Sequence, residues 1–571
     1  MLSFILKLRK TLAPAYKWGL LALSALMICG ALLELAALGM VMMIVSVFTM
    51  PSKIHSQWYI EWLYRISGVE NLRQFLILLA VILIVFYVIK SIYGWCLLYL
   101  QSLFVSKLTV QVVRRIYRNY LCAPYSWHAE NGSSALMDRI TRVESLANGL
   151  LRPLMLITTE VCVVIILGGV LLYIIPWITL GVFGCVMILA FLFYLPLRKK
   201  IQKYGEMNNY AAAKSFLFLT QGISAVREVK LTDSKDYFEQ QLAKEQWKRF
   251  ISTKRITDFS EIPRFALEAL CILIAMGILI ILLLADIPEE QIMVYAAMFI
   301  SAMFRLLPSF TRIQYNVYTV RGCLPLFDLI YNDLCNLPQE NSEPDETKTQ
   351  PDISIRNGID VEHIDFAYRA DLAPIFKDFS LHIACRESVA FVGKTGCGKS
   401  TLADIIMGFY TPQNGAVKVD GVPITENMLA WRKKIGYVPQ RMTLFDDTIR
   451  NNIAFGVPPE QIDPVKLQNA MNMAQVSDFV NTLPDRENTM IGEGGVRLSG
   501  GQRQRIVIAR ALYHEPELLI LDEATSALDN ETEKAVIDAL KTLKGKLTII
   551  MIAHRLSSIE HCDRIISLDK E

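Results

Sequence analysis

The sequence has no Cys-x-x-Cys pair and no cysteine at a ligand-like spacing from histidine, although it contains eleven cysteines. None falls in a segment read below as facing the outside, which argues against a disulfide framework and a structural zinc site. An excess of charge is lacking too. Lys and Arg number 58 against 55 Asp and Glu, a net charge of +3, and no basic tract is interleaved with aromatics. Bulk charge therefore gives a nucleic-acid partner no support. No internal repeat or low-complexity tract is evident. Nor is a cleavable signal peptide, because the basic amphipathic start MLSFILKLRKTLAPAYK leads into an apolar run, Trp18 to about Met50, far longer than a signal core.

Long apolar runs dominate the first 330 or so residues. Stretches of about 20 apolar residues can cross a bilayer, and such stretches are expected at 18–48, 74–104, 152–175, 177–197, 262–285 and 291–318. Basic residues select the cytoplasmic loops. Lys107, Arg114, Arg115, Arg118, Arg139 and Arg142 lie in 106–150, and LRKKIQK opens 198–261, whereas IIPW and ADIPEEQ have no Lys or Arg. Both termini are therefore expected in the cytoplasm, with two long helical excursions on that side. In the outer loop, Trp58, Tyr59, Trp62 and Leu63 recur at helical spacing, as in a short interfacial helix anchored by aromatics or one touching a lipid-borne cargo. The polar stretch LPQENSEPDETKTQPD reads as a linker, 333–352, between a membrane domain at 1–332 and a soluble α/β domain at 353–571.

In that second domain, VAFVGKTGCGKSTLADIIMGF runs from an apolar strand through G-x-x-x-x-G-K-S into a helix. Gly393, Lys394, Thr395, Gly396, Cys397, Gly398, Lys399, Ser400 and Thr401 form the expected phosphate cradle. Glycines let backbone N–H groups turn toward phosphate at a helix's positive end. Lys399 suits the β/γ oxygens and the Ser400 hydroxyl suits Mg²⁺. Downstream, ELLILDEATSALD ends a buried strand in Asp522 and Glu523, a Mg²⁺-associated acid and a base for the attacking water. Between them, Ser499, Gly500, Gly501 and Gln502 open a second helix with an anion-binding end. Two such ends about 100 residues apart serve one nucleotide only if the chain folds back or dimerises.

LSGGQ between these two motifs resembles the ATP-binding cassette family, and six spans ahead of one cassette resemble a bacterial exporter half-transporter. The resemblance implies an all-α six-helix transmembrane domain fused to an α/β P-loop cassette, with ATP and Mg²⁺ as cofactors. It implies that Tyr368 stacks on adenine, that Gln440 senses Mg²⁺ and assists catalysis, and that Ser499 and Gly501 clasp nucleotide on a partner subunit. Asp529 corresponds to the D-loop, His554 to the switch histidine, and Glu493 to an acid facing the coupling helices. With Glu523 and His554 both present, a homodimer with two working sites in the bacterial inner membrane is implied, a heterodimer remaining open. PYSWHAENG and FLFLTQGIS are the expected coupling helices.

Charges within the spans set the cargo question. Lys90 and Arg305 lie deep, Arg305 about 21 Å from the outer end of its span. Arg312 shares a helical face with Arg305, and Arg264 lies near an inner end. A charge at that depth is costly unless paired or facing water. Glu34, Glu160 and Glu268 offer pairing that fixes helix register. The other reading is a cavity that receives an anionic group, since guanidinium matches phosphate bidentately. LLPSFTRI, EIPRF and the aromatic outer loop are similar to bacterial lipid-linked oligosaccharide flippases of protein glycosylation, which implies a polyprenyl-pyrophosphate glycan as cargo. A lipid A-type glycolipid, a peptide or a drug are the alternatives.

Overall fold

In the computed structural model, the described residues are 14–49, 58–68, 71–174, 176–284, 289–335, 337, 353–369, 371–523, 538, 540–552 and 559–569. They fall into two compact units. One combines Met1–Ala123 with Glu130–Pro338; the other combines Pro124–Ala129 with Gln339–Glu571.

The membrane unit is built on long helices: α1 (Pro14–Thr49), α2 (Leu72–Leu121), α3 (Arg152–Ile174), α4 (Pro176–Ser224), α5 (Lys235–Leu284) and α6 (Glu289–Cys335). Four apolar helical stretches, Tyr16–Phe48, Leu72–Leu121, Ser133–Tyr173 and Thr179–Ser224, are long and apolar enough to cross a membrane among the described residues. Their outward faces carry Ile84, Leu98, Ile165, Met187 and Phe191, all exposed. Exposed aliphatic faces on long helices suit lipid, where every backbone group must be bonded within the segment. Several helices run well beyond the expected spans: α2 and α4 continue, and α5 begins, as polar, Lys- and Arg-rich helix, whereas the extension of α6 to Cys335 is largely apolar, with Val320, Leu326, Phe327, Ile330 and Leu334 buried. Pro196, Pro263, Pro308 and Pro325 all lie within these helices. Where α4 meets α6, a Cβ on Gly205 would stand 2.3 Å from the carbonyl oxygen of Gly322, so only glycine permits that approach.

Two expectations about short segments need correction. Helix α6 continues to Cys335, so the expected linker at 333 begins inside a helix. FLFLTQGIS lies on the last turns of α4, and the separate short helix follows it at Val226–Leu231. PYSWHAENG does contain a helix, Tyr125–Glu130.

The second unit contains β1 (Gly358–Phe366), β2 (Phe376–Ala384), β3 (Ser388–Val392), α7 (Lys399–Ile406), β4 (Asn414–Val419), β5 (Val422–Pro423), β6 (Ile435–Val438), α8 (Gly500–Tyr513), β7 (Leu518–Asp522), β8 (Thr548–Ile552) and β9 (Arg564–Ser567). An antiparallel sheet has the order β2-β1-β4-β5, and a second, parallel sheet has the order β6-β7-β8-β3-β9. The central strands β3, β7 and β8 are nearly continuous apolar runs because both of their faces are covered, whereas the edge strand β9 is largely exposed. Along β7, Leu518 and Ile520 pack into one core cluster while Leu519 and Leu521 pack into the other. Parallel pairing brings the carboxyl ends of β6, β7, β8, β3 and β9 to one edge, where open α/β sheets place their ligands.

Tyr125 belongs to this second unit. Its ring centroid lies 5.0 Å from that of Phe409 and 5.9 Å from that of Tyr410. Six residues embedded in the sequence of the membrane half thus pack with the cassette.

Candidate nucleotide site and membrane charge cluster

The loop after β3 uses its glycines for conformations that other residues adopt poorly. Gly393, Gly396 and Gly398 have φ of 145°, 86° and 107°. A Cβ on Gly398 would come within 2.7 Å of Ile375 and 2.9 Å of Phe376, whereas one on Gly396 would meet nothing within 4 Å. The loop is therefore tightly backed on one side and open on the other, a cradle that fits a phosphate chain. Lys399 is buried, and its Nζ donates to the carbonyls of Gly393 at 2.7 Å and Lys394 at 3.0 Å.

Around this cradle, the structure assembles residues far apart in sequence. Ser400 Oγ donates to Asp522 Oδ1 at 3.3 Å, and Gln440 Nε2 donates to Glu523 Oε2 at 2.6 Å. Ser400, Asp522 and Gln440 supply the hydroxyl, carboxylate and amide oxygens that a hard cation prefers. Glu523 has φ of 48°, in the left-handed region, and its N–H donates to Ile552 O at 2.9 Å. A non-glycine residue held there is a strained one, a common feature of functional positions. Tyr368 is half exposed, and its hydroxyl lies 2.8 Å from Thr401 Oγ1. Ser499 caps α8 in a reciprocal capping box: its N–H donates to Gln502 Oε1 at 2.9 Å, and Gln502 N–H donates to Ser499 Oγ at 3.3 Å. Glu493 lies in a one-turn helix, Glu493–Gly495. His554 and Asp529 lie outside the described residues.

Two acids here have no motif to announce them. Asp569 Oδ1 accepts from Lys394 N–H at 2.7 Å, because β9 lies beside β3 and its trailing residue meets the loop. Asp404, on α7, is pushed up to about 6 by burial and by the charge of Asp522.

In the membrane unit, three of the four span cations meet. Lys90 Nζ lies 2.7 Å from Glu34 Oε2, and Arg305 Nε lies 3.1 Å from the same oxygen. Arg305 Nη1 is 3.4 Å from Glu160 Oε2, and Arg312 Nη1 is 2.8 Å from Glu160 Oε1. Ser309, not anticipated from sequence, donates to Glu160 Oε2 at 2.7 Å and accepts from Arg305 Nη1 at 3.0 Å. The cations expected to stand ready for an anion are thus already paired. The cluster still sets three cations against two carboxylates, and Arg312 remains 61% exposed. Arg264 stays apart, bound to Glu268 at 2.9 Å and near Glu261 at 3.8 Å on its own helix.

Comparison with known proteins agrees with both halves. The ABC transporter family matches residues 376–526, and the ABC transporter transmembrane region matches residues 20–307. An ATP-dependent lipid A-core flippase of Alkalilimnicola ehrlichii is 32% identical over 81% of this chain and 78% of its own length. Its counterpart from Aliivibrio fischeri is 30% identical over 84% of this chain and 82% of its own. In fold, the chain is similar to a bacterial Atm1-family ABC exporter solved with ATP bound, with a TM-score of 0.75 at 22% identity over 94% of this chain and 93% of that one. This chain belongs to the ABC transporter family, as an ATP-hydrolysing, membrane-spanning half-transporter of the exporter type.

Proposed function

We propose that two copies of the chain form a homodimeric flippase in the bacterial inner membrane, with both termini cytoplasmic, whose cargo is a phosphorylated glycolipid. The observation that carries this reading is the cluster of Lys90, Arg305 and Arg312 around Glu34 and Glu160, with one more positive charge than negative. An anionic headgroup would complete that balance, and Arg312 is the exposed member able to reach it. A peptide or drug exporter would use the same ATPase but would have no need of the surplus cation.

Two cargoes share the required chemistry. A lipid A-core type glycolipid is favoured by the names of relatives that align along most of this chain. A polyprenyl-pyrophosphate oligosaccharide is favoured by the short clusters LLPSFTRI and EIPRF and by the aromatic helix Trp58–Ser67.

At the nucleotide site, Lys399 would leave its two carbonyls for the β/γ-phosphates. Ser400, Asp522 and Gln440 would hold Mg²⁺, which neutralises charge developing on the phosphates. Glu523 would take a proton from the attacking water, and Gln440, which donates to its carboxylate, would help to hold that carboxylate in position. His554 is assigned the switch role. Ser499, Gly500, Gly501 and Gln502 would close over nucleotide bound by the partner subunit.

Reconstitution in liposomes tests the cargo, with a lipid A-core glycolipid in one series and a short polyprenyl-pyrophosphate oligosaccharide in the other. ATP-dependent movement between leaflets in either series, lost in Glu523→Gln and in Arg312→Gln, supports the reading and picks the cargo. No movement in either, with hydrolysis stimulated by peptides or drugs, overturns it.

A further inference from the structure

The chain passes between its two compact units at three points: after Ala123, after Ala129 and after Pro338. Each lies close in sequence to a residue in one hydrogen-bonded cluster of the membrane unit. Asn119 and Tyr120, on α2, precede the first. Arg139, on the helix Ser133–Thr141, follows the second. Asp333 and Leu334, on α6, precede the third.

Asp333 stands at the centre of this cluster. Tyr120 Oη donates to its Oδ2 at 2.5 Å, and Arg139 Nη1 donates to both carboxylate oxygens at 3.2 Å. Asn119 Nδ2 donates to the backbone carbonyls of Asp333 at 3.3 Å and Leu334 at 3.1 Å. Asp333 is 7% exposed. A carboxylate that deep persists only with a cation and donors around it, and removing one partner is strongly felt. Among the described residues, its side-chain partners are Tyr120 and Arg139, neither of them a member of the membrane charge cluster.

We infer that Asp333 is the positioning residue that hands the cassette's nucleotide-driven movement to the membrane helices. It does so by binding α2, α6 and the Ser133–Thr141 helix into one block. A block tied at every crossing point can move as one body, and packed elements of that kind switch between discrete arrangements. Two of the three helices it ties, α2 and α6, also bear Lys90, Arg305 and Arg312. The inference needs only ATP-driven transport and is independent of the cargo.

The test uses the full chain in proteoliposomes with a fluorescent amino acid introduced at the exposed Trp58. Phosphate release and the emission change on adding ATP, Mg²⁺ and vanadate are read from the same sample. Asp333→Asn is expected to hydrolyse ATP within about threefold of the parent, while the emission response falls by roughly fivefold or more. Tyr120→Phe, which removes one hydrogen bond and no charge, should lose part of the response. Arg139→Lys should retain most of it. A full response in Asp333→Asn overturns the inference. So does a loss of response and hydrolysis in equal proportion in both Asp333→Asn and Tyr120→Phe, since that marks a merely structural role.

Discussion

Gln440 and Glu523 are 83 residues apart in sequence, yet the amide Nε2 of one donates to the carboxylate Oε2 of the other at 2.6 Å. Strands β6 and β7 are parallel neighbours, with Val438 paired to Leu521, so the residues trailing each strand meet. Glu523→Gln keeps the shape at that position and removes the proposed base. Nucleotide binding should persist while hydrolysis falls by at least about 100-fold. Phosphate release and a fluorescent-nucleotide titration on one preparation separate the two. Sustained turnover would place the base elsewhere.

Lys399→Ala should act earlier, on binding itself. A charged donor lost from a phosphate costs about 2 kcal/mol, or some 30-fold in affinity. Equilibrium titration with an ATP analogue measures it, and unchanged affinity would contradict the assignment.

Asp569→Ala should loosen the loop that Lys394 N–H anchors and weaken ATP by a smaller factor, about 1 kcal/mol. Its kcat should be nearly unchanged at saturating ATP, whereas KM should rise. A fall in kcat alone would mean that Asp569 acts on the chemical step.

In the membrane cluster, the two arginines should part company. Arg312 is the exposed member, so Arg312→Gln should preserve the melting temperature and basal hydrolysis while abolishing stimulation by a phosphorylated glycolipid. Arg305 is 24% exposed and shared by Glu34 and Glu160. Arg305→Ala leaves both carboxylates less compensated and should also lower the melting temperature, by a few kcal/mol in stability. Equal melting temperatures for the two variants would remove that distinction.

Asp404 gives a pH dependence with a definite sign. Burial, then the charge of Asp522, raises its pKa to about 6, above the ordinary carboxylate value. The folded state therefore holds this proton more tightly than the unfolded state does, and stability declines as pH rises through about 4 to 6. Asp404→Asn should raise the nucleotide-free melting temperature at pH 7.5, a gain on the order of 1 kcal/mol after allowing for its partial exposure. Little gain should remain at pH 4. A constant gain across that range would point to packing as the cause.

The cassette was legible because its chemistry is local. A phosphate loop needs glycines, a lysine and a hydroxyl within nine residues, and β7 announces itself as an apolar run ending in acids. Asp569 and Asp404 were not legible, since one acts through a strand neighbour and the other through burial, and neither leaves a spacing pattern. The span charges were visible as anomalies. What surrounded them was not, because Ser309 looked like any small helical residue until it was placed beside Glu160.

By itself, the sequence determined the class of the molecule: long apolar helices, then a P-loop cassette with its acids and signature motif. Periodicity and motif spacing are short-range properties, written within one element or one loop. Only the tertiary structure decided which charges pair. Lys90, Arg305 and Arg312 lie on two helices, and their carboxylates come from two others, so pairing depends on how α1, α2, α3 and α6 pack. The same is true of Asp333, which sequence placed at the start of a linker and packing placed at the centre of a buried hydrogen-bonded node.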